Sequence, residues 1–544
     1  LHIDSKRNRL KARSPIVRPR VLLIGPYDPT CGEYTFLAPP LGVWRLQGFL
    51  AAKGVDAHVY DPNLRPHQVA QEFHQLLRSG RWDAIGVSTT GMTLQYDLEL
   101  AHAARGACPD ALLIAGGMEA TFNPELMFEA GPFDMVISGE GEGPLGELCG
   151  RLASGMDVEG IKGTVVVRRD GSLQTFHGNA QSEAQLRHSI FCIPYEQMPY
   201  EDYWSRLETS YGVSHLPYKA QREATLAEIR SVRLITLNYC PMGCTFCSST
   251  NFLHHAQGSV ANIARLTAED CLAMLERIVQ AHPSVRTVIF QDDIFVFNKD
   301  KRILPLCEGI VQAKRRGALP EYLQFISTNR IDAMTPERLQ AMRRAGFRVL
   351  GFGIENFSRN VLEEFNKKQI YRHIEPSLTE ALDIGITPFL DLILTSPGAQ
   401  LTDLSETVRQ AYRWIMAGCE VGIYPYIIPF SGAAMSKDPA LLPHTVYTIR
   451  HVKGTAISWS QPAKILPADP TTRKAILLIE AAVQTALDNF GAGHLPSRTR
   501  SLIWIRHAIP ILRALGEKMP DEEKVALQIA GADAPHEAEL CAAI

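Results

Sequence analysis

The sequence predicts an α/β protein: two successive strand–helix series followed by a mainly helical C-terminal region. Three observations carry this. Short apolar runs rich in β-branched residues alternate with segments of helical spacing over residues 20–169. The alternation restarts near residue 232, now with explicit helix start signals between the runs. From residue 439 the strand-like runs stop and long apolar helical patterns follow.

Taken in order, residues 1–19 are basic and lack an apolar core, so they read as a solvated, poorly ordered leader rather than a secretory signal. A membrane-surface or partner-binding arm is the alternative. Residues 20–169 carry strand candidates at 21–24, 57–60, 84–88, 112–115, 135–137 and 164–167, with helical spacing at 43–52 and 96–105. Buried strands with intervening helices predict a doubly wound, Rossmann-like sheet, which binds ligands at the carboxyl ends of its strands. Residues 170–231 have weak periodicity and are broken by Pro194, Pro199 and Pro217, which suggests a linker. Residues 232–438 carry strand candidates at 233–237, 287–290, 324–327, 349–353, 388–394 and 421–427. Between them Thr267 stands three residues before Asp270 as a capping pair, and Thr335 precedes Pro336 at a helix start. Six β/α units predict a partial (β/α)6, TIM-like barrel, too few for a closed eight-stranded one. Residues 439–544 read as a helical region with helices at 475–489 and 502–515.

Composition excludes several classes. Lys and Arg number 55 against 58 Asp and Glu, a net charge of −3. A general basic field is therefore missing, and no nucleic-acid partner is expected. No apolar run approaches the ~20 residues of a membrane span. The 11 cysteines are odd in number and mostly scattered, which fits a reducing, cytoplasmic location.

One cysteine group stands apart: Cys240-Pro-Met-Gly-Cys244-Thr-Phe-Cys247, just after the first strand of the second series. Three thiolates in one tight loop can converge on an inorganic cluster. A structural zinc normally takes four ligands; His254 or His255 would have to supply the fourth, and that reading stays open. Three cysteines leave one iron of a [4Fe–4S] cluster free for another ligand.

The C-x3-C-x2-C spacing with an aromatic before the last cysteine resembles the motif of the radical S-adenosylmethionine (AdoMet) superfamily. The resemblance implies a [4Fe–4S] cluster held by Cys240, Cys244 and Cys247, with AdoMet chelated by the open iron and cleaved to a 5′-deoxyadenosyl radical. Phe290-Gln-Asp-Asp-Ile-Phe295 is similar to the F-x-D-D-x-F signature of cobalamin-dependent members, and implies Gln291 and Asp292 at the AdoMet amine. Ser327-Thr-Asn-Arg330 and Gly353-Ile-Glu-Asn356 resemble segments lining the AdoMet cavity, which implies roles for Ser327, Arg330 and Glu355. Ile393 would pack on adenine, and Asp293 and Asp391 lie at the same strand ends.

An α/β unit ahead of such a core resembles the cobalamin-binding domain of the B12-dependent subclass. Matching segments are Pro39-Pro-Leu-Gly42, Ser88-Thr-Thr-Gly91, Gly116-Gly117 and Gly139-Glu-Gly-Glu142. They imply that Ser88, Thr89, Thr90, Gly116, Gly117, Gly139 and Glu140 approach the cofactor. The loop after the first strand, from Gly25 to Tyr34, contains no His where many cobalamin domains supply the lower cobalt ligand. This implies base-off cobalamin without a protein His ligand, with Asp61, Asn63 and Arg65 as candidates beneath the corrin. The resemblance spans about residues 20–439, and the C-terminal region matches no family.

What the resemblance implies first is a C-methyltransferase carrying a methyl group from AdoMet, via methylcobalamin, to an unactivated carbon of a small-molecule or peptide substrate. It also implies an external electron donor such as flavodoxin or ferredoxin. Oxidative cyclisation and ring rearrangement use the same cofactors and stay open. A methylthiotransferase acting on tRNA or a protein also stays open; such enzymes usually carry a second cysteine triad, for which only the widely spaced Cys31, Cys108 and Cys149 are present. A cobalamin sensor would leave the clustered cysteines idle. No catalytic acid or base is assigned.

Overall fold

Two large sheets organise the chain, formed from the apolar runs the sequence marks plus one strand, Leu173–Phe176, from the expected linker. The computed structural model describes residues 2–11, 14–29, 34, 36–490, 497–521 and 525.

The first unit runs α1 (His2–Leu10), β1 (Arg20–Ile24), α2 (Leu41–Ala51), β2 (Asp56–Tyr60), α3 (Val69–Arg78), β3 (Ala84–Ser88), α4 (Leu94–Ala107), β4 (Leu112–Gly116), α5 (Met118–Phe122), α6 (Pro124–Ala130), β5 (Met135–Ile137), α7 (Glu142–Ser154), β6 (Thr164–Val167) and β7 (Leu173–Phe176). The strand order is β2-β1-β3-β4-β5-β6-β7. The first five strands are parallel, as expected for runs buried on both faces. The sixth is not: β6 is antiparallel to β5 and turns back through β7. β1 and β3 are neighbours although the chain leaves them in opposite directions, so their carboxyl ends flank the switch-point crevice.

The leader is not the solvated segment expected. α1 lies against this sheet, with Leu10 buried, Lys6 Nζ donating to the Phe128 carbonyl at 3.1 Å and Arg9 paired with buried Asp134 at 2.8 Å. The expected linker is likewise ordered. Besides β7 it forms α8 (Glu183–Phe191), α9 (Tyr200–Ser210) and α10 (Lys219–Ile229). Tyr195, Tyr200, Tyr203 and Trp204 are fully enclosed in the core of the second sheet. Their aromatic area, with each polar tip hydrogen-bonded, holds the segment where propensity does not.

The second unit comprises β8 (Ser231–Leu234), α11 (Ser249–Gln257), α12 (Ala268–Ala281), β9 (Thr287–Phe290), α13 (Ile303–Arg315), β10 (Gln324–Asn329), α14 (Pro336–Ala345), β11 (Phe347–Glu355), α15 (Arg359–Glu364), α16 (Ile374–Asp383), β12 (Thr387–Ile393), α17 (Leu401–Ala417) and β13 (Glu420–Tyr424). Its six strands are all parallel and run in sequence order across an open half-barrel. The Thr267 and Thr335 hydroxyls cap α12 and α14 as expected, accepting from the amides of Asp270 and Arg338.

The C-terminal region is not wholly helical. An antiparallel hairpin, β14 (Thr445–His451) and β15 (Ser458–Ile465), precedes α18 (Pro470–Phe490) and α19 (Ser497–Ala514). The helices pack into the half-barrel core, whereas the hairpin reaches the first unit and buries Val452 there.

Candidate functional site

The cysteine loop is suspended from the carboxyl end of β8 by a buried carboxylate. Asp292 Oδ1 accepts the amides of Thr236 and Leu237 at 2.7 and 2.8 Å, and Oδ2 accepts the Thr236 hydroxyl at 2.5 Å. Arg302 Nη1 donates to the same Thr236 oxygen at 2.8 Å. Burial pushes the Asp292 acid up to about 6, against the pull of Arg302 and these donors. Asp292 thus bolts β9 to the strand that leads into the cysteines.

The adjacent acid has the other orientation. Asp293 is exposed, accepts from the Ser249 hydroxyl at 3.3 Å, and lies in electrostatic reach of Cys240 and Cys247. Gln291 is also exposed. The two phenylalanines of the same motif fill the core, with Phe290 stacked on Phe295 at 4.2 Å and on Phe347 at 5.8 Å.

Around the loop, backbone turns are secured from the far side of the barrel. Gly243 has a φ of 75°, and Asn366 Nδ2 donates to its carbonyl at 2.8 Å. The Thr245 amide and hydroxyl donate to the carbonyls of Phe365 and Glu364. The Phe246 ring packs on Phe365 at 4.9 Å. Thr250, at the start of α11, donates to the Cys240 carbonyl and accepts from the Gly243 amide, both at 3.2 Å.

Burial raises all three thiols, Cys240 to about 12. Thiols held this far from water ionise only against positive charge, and an iron–sulfur cluster takes its cysteines as thiolates. Lys367 and Arg330 supply further positive charge beside Cys244. Three cysteines of one short loop, with Lys367 and Arg330 near Cys244, are the donor set a cluster with one iron left free would take. His254 is engaged with the Tyr239 hydroxyl at 2.8 Å, and His255 packs on the Phe122 ring.

Arg330 forms a two-point ion pair with Asp332 at 2.8 and 2.9 Å, and its Nη1 lies 3.1 Å from the Met242 sulfur within the cysteine loop. Ser327 is buried and bonded to Asn329 within β10. Glu355 has a φ of 65° at the end of β11, just after a register shift against β12. The irregularity turns its carboxylate onto Lys367 Nζ at 2.8 Å. Burial favours the neutral amine, but Glu355 and Cys244 together hold Lys367 above the usual lysine range. Asp391 lies close by, flanked in register by Gly353 and Gly422. Burial and the Glu355 charge push its acid up to about 7. Ile393 belongs to an apolar cluster with Ile427, Met435 and Ile465, against which Phe246 packs.

In the first unit Thr89 is fully buried. Its hydroxyl donates to the Gly116 carbonyl and accepts the Ala120 amide, tying β3 to α5. Gly117, with a φ of 93°, could carry no side chain, because a Cβ would come within 2.6 Å of the Thr89 carbonyl oxygen. Ser88 and Thr90 are half-buried, and Gly116 faces open space. Two expected cofactor residues are committed elsewhere. Glu140 is ion-paired with Arg45, and a Cβ on Gly139 would lie 2.6 Å from the Ala256 side chain of α11. That glycine admits the other unit's helix. Asp61, a candidate beneath the corrin, is half-buried and accepts the Tyr203 hydroxyl at 2.8 Å.

The carboxyl ends of the two sheets thus meet. α11, leaving Cys247, packs on α5. Ser431, beyond β13, donates to Glu119 at 2.9 Å and accepts from Asn123 at 2.7 Å. Gln461 of the hairpin donates to the Gly91 carbonyl at 2.6 Å. Lys367, Thr121 and Asp97 also shape the region and were not singled out in the sequence. Lys367 is separated by 12 positions from its partner, and a helical acid such as Asp97 carries no distinguishing pattern.

The family described as B12 binding domain matches residues 28–149, and the radical SAM superfamily matches residues 234–411. An uncharacterized methyltransferase of Pyrococcus horikoshii is 22% identical over 378 residues, covering 69% of this chain and 73% of its own. The anaerobic magnesium-protoporphyrin IX monomethyl ester cyclase of Cereibacter sphaeroides is 21% identical over 402 residues, covering 73% of this chain and 60% of its own. The fold is shared with the cobalamin-dependent S-adenosylmethionine radical enzyme OxsB (TM-score 0.66, 16% identity, 94% of this chain and 75% of that one). It is also shared with the radical S-adenosylmethionine methyltransferase TsrM of Kitasatospora setae (TM-score 0.63, 14% identity, 90% and 99%). Among the described residues no helix is long and apolar enough to cross a membrane.

Proposed function

We propose, from the premise that this chain is a cobalamin-dependent radical SAM enzyme with a B12-binding domain ahead of its radical SAM domain, that it methylates an unactivated carbon of a small-molecule or peptide substrate. The observation that carries the reading is the meeting of the two sheets by their carboxyl ends, where α11 and the loop at 430–432 lock onto α5. Two cofactors seated at those ends share one substrate space, so a carbon activated by one is presented to the other without diffusion.

Bound there, the cluster and AdoMet supply a deoxyadenosyl radical for hydrogen abstraction, and cobalamin supplies the methyl group. The chain's residues position and neutralise. Cys240, Cys244 and Cys247 hold the cluster, and Lys367 with Arg330 offsets thiolate charge. Glu355, Asp391 and Asp293 present carboxylates toward a cationic, hydroxyl-rich AdoMet, while Thr90, Ser88 and Gly116 face cobalamin. The loop after β1 offers no His, which supports base-off binding. Reduction requires an external one-electron donor of the flavodoxin or ferredoxin kind.

The test is anaerobic reconstitution followed by AdoMet turnover. About four iron and one cobalt per chain are expected, with base-off corrinoid bands. With substrate, methyl transfer yields S-adenosylhomocysteine and 5′-deoxyadenosine in equal amounts and a product heavier by CH2. 5′-Deoxyadenosine together with a substrate-derived product that gains no CH2 would instead support the second reading, an oxidative cyclase or ring-rearranging enzyme, and the similarity to the Cereibacter cyclase favours the former. A methylthiotransferase is disfavoured by Cys108 and Cys149, which pack on opposite faces of the first sheet. Cys31 lies outside the described residues.

A further inference from the structure

The switch-point crevice between β1 and β3 is closed from below by one buried carboxylate. Asp97, in the first turn of α4, is fully enclosed. Its Oδ1 accepts the Tyr27 amide of the β1 loop at 2.8 Å. Its Oδ2 accepts the Thr93 hydroxyl at 2.6 Å and the Thr90 amide of the β3 loop at 3.4 Å. Every partner is a donor, so the site is built for an ionised, acceptor-only carboxylate. Burial pushes the acid up to about 7, and Asp28 nearby adds to the push. A core does not gain stability from such a group, so its place needs another reason.

We propose that Asp97 is the positioning residue of the cobalamin face: it ties the β1 loop to the β3 loop and, through Thr93, fixes the direction in which the Thr90 hydroxyl donates. The Thr93 proton is committed to Asp97, so in the 2.8 Å contact between the Thr93 and Thr90 hydroxyls Thr90 is the donor. Half-buried Thr90 therefore turns only lone pairs outward. An acceptor there suits the amide N–H groups that fringe a corrin ring. The hold extends to the β2 loop, because Asn63 donates to the Pro26 carbonyl at 2.7 Å and accepts the Asp28 amide at 3.1 Å. One carboxylate thus aligns the loops of three strands at the crevice where a doubly wound sheet takes its ligand. This inference rests on the cobalamin reading above.

The test measures hydroxocobalamin affinity of the full chain with its cluster reconstituted. Asp97→Asn keeps the shape but turns an N–H2 toward donors on one side, and roughly tenfold weaker binding is expected. Thr93→Val spares both backbone contacts of Asp97 and removes only the relay. It should weaken binding severalfold and shift the corrinoid visible bands, and Thr93→Ser should restore both. Iron content of the Thr93 variants should match wild type, and Thr93→Val should melt only slightly lower, because Asp97 keeps both backbone donors. Thr93→Val and Asp97→Asn chains that bind as tightly as wild type overturn the inference, as does a loss of cobalamin that only parallels loss of iron. A wild-type chain that takes up iron but no cobalamin overturns the cofactor reading as well.

Discussion

Replacing Asp292 separates a scaffold role from a ligand role. Its carboxylate receives two backbone amides and one hydroxyl from residues 236–237, three to four positions before Cys240. Thr236 and Leu237 are buried, so in Asp292→Ala both amides lose their acceptor away from water. At roughly 1–3 kcal/mol for each orphaned buried donor, the pair costs about 4 kcal/mol. For a unit of this size that lowers the melting temperature by on the order of 10 °C. The cysteine loop hangs from the loosened strand end, so iron uptake should fall although Asp292 touches no cysteine. Asp292→Asn keeps the oxygen facing the two amides and sheds a buried charge, so it should lose only about 1–2 kcal/mol and retain its iron. Differential scanning fluorimetry and iron analysis after anaerobic reconstitution read both variants. An Asp292→Ala chain that melts with wild type and fills with iron would refute the reasoning. An Asp292→Asn chain with full iron but much weaker AdoMet binding would return Asp292 to the ligand role its motif suggests.

Three further outcomes follow from the geometry. Asp391, with its acid raised to about 7, becomes anionic as pH rises through that value, so equilibrium dialysis should find AdoMet binding strengthening from about pH 6 to about 8 and Asp391→Asn nearly flat. Lys367→Met strands the buried Glu355 carboxylate, at a cost of about 3–5 kcal/mol, and lower iron retention after desalting should accompany a lower melting temperature. Gly139→Ala forces a Cβ to 2.6 Å from the Ala256 side chain at a φ of 86°, costing roughly 2–4 kcal/mol by thermal melt, and Ala256→Gly should recover part of that loss.

The strands were legible because parallel strands buried on both faces are continuous apolar runs. The cysteine triad was legible because thiolate ligands of one cluster must share a short loop. Orientation was not. Asp292 and Asp293 are chemically identical neighbours, and only the fold decides that the first is enclosed and the second faces the cysteines. Gly139 shows the same limit, since a glycine that admits a cofactor and one that admits a helix read alike. The segment around Tyr195 and Trp204 escaped because its aromatics follow no period and still vanish into the core. The hairpin escaped because neither of its strands has a cleanly buried face.

The helix that leaves the last cysteine also holds the units together. α11 begins two residues after Cys247, closes the loop through Thr250, and seats Ala256 on Gly139 and His255 on Phe122 of the first unit. One helix therefore serves two masters, the cysteine loop at its root and the cobalamin-side unit at its tip. A substitution that loosens either end is felt at the other, because the same short rod carries both contacts.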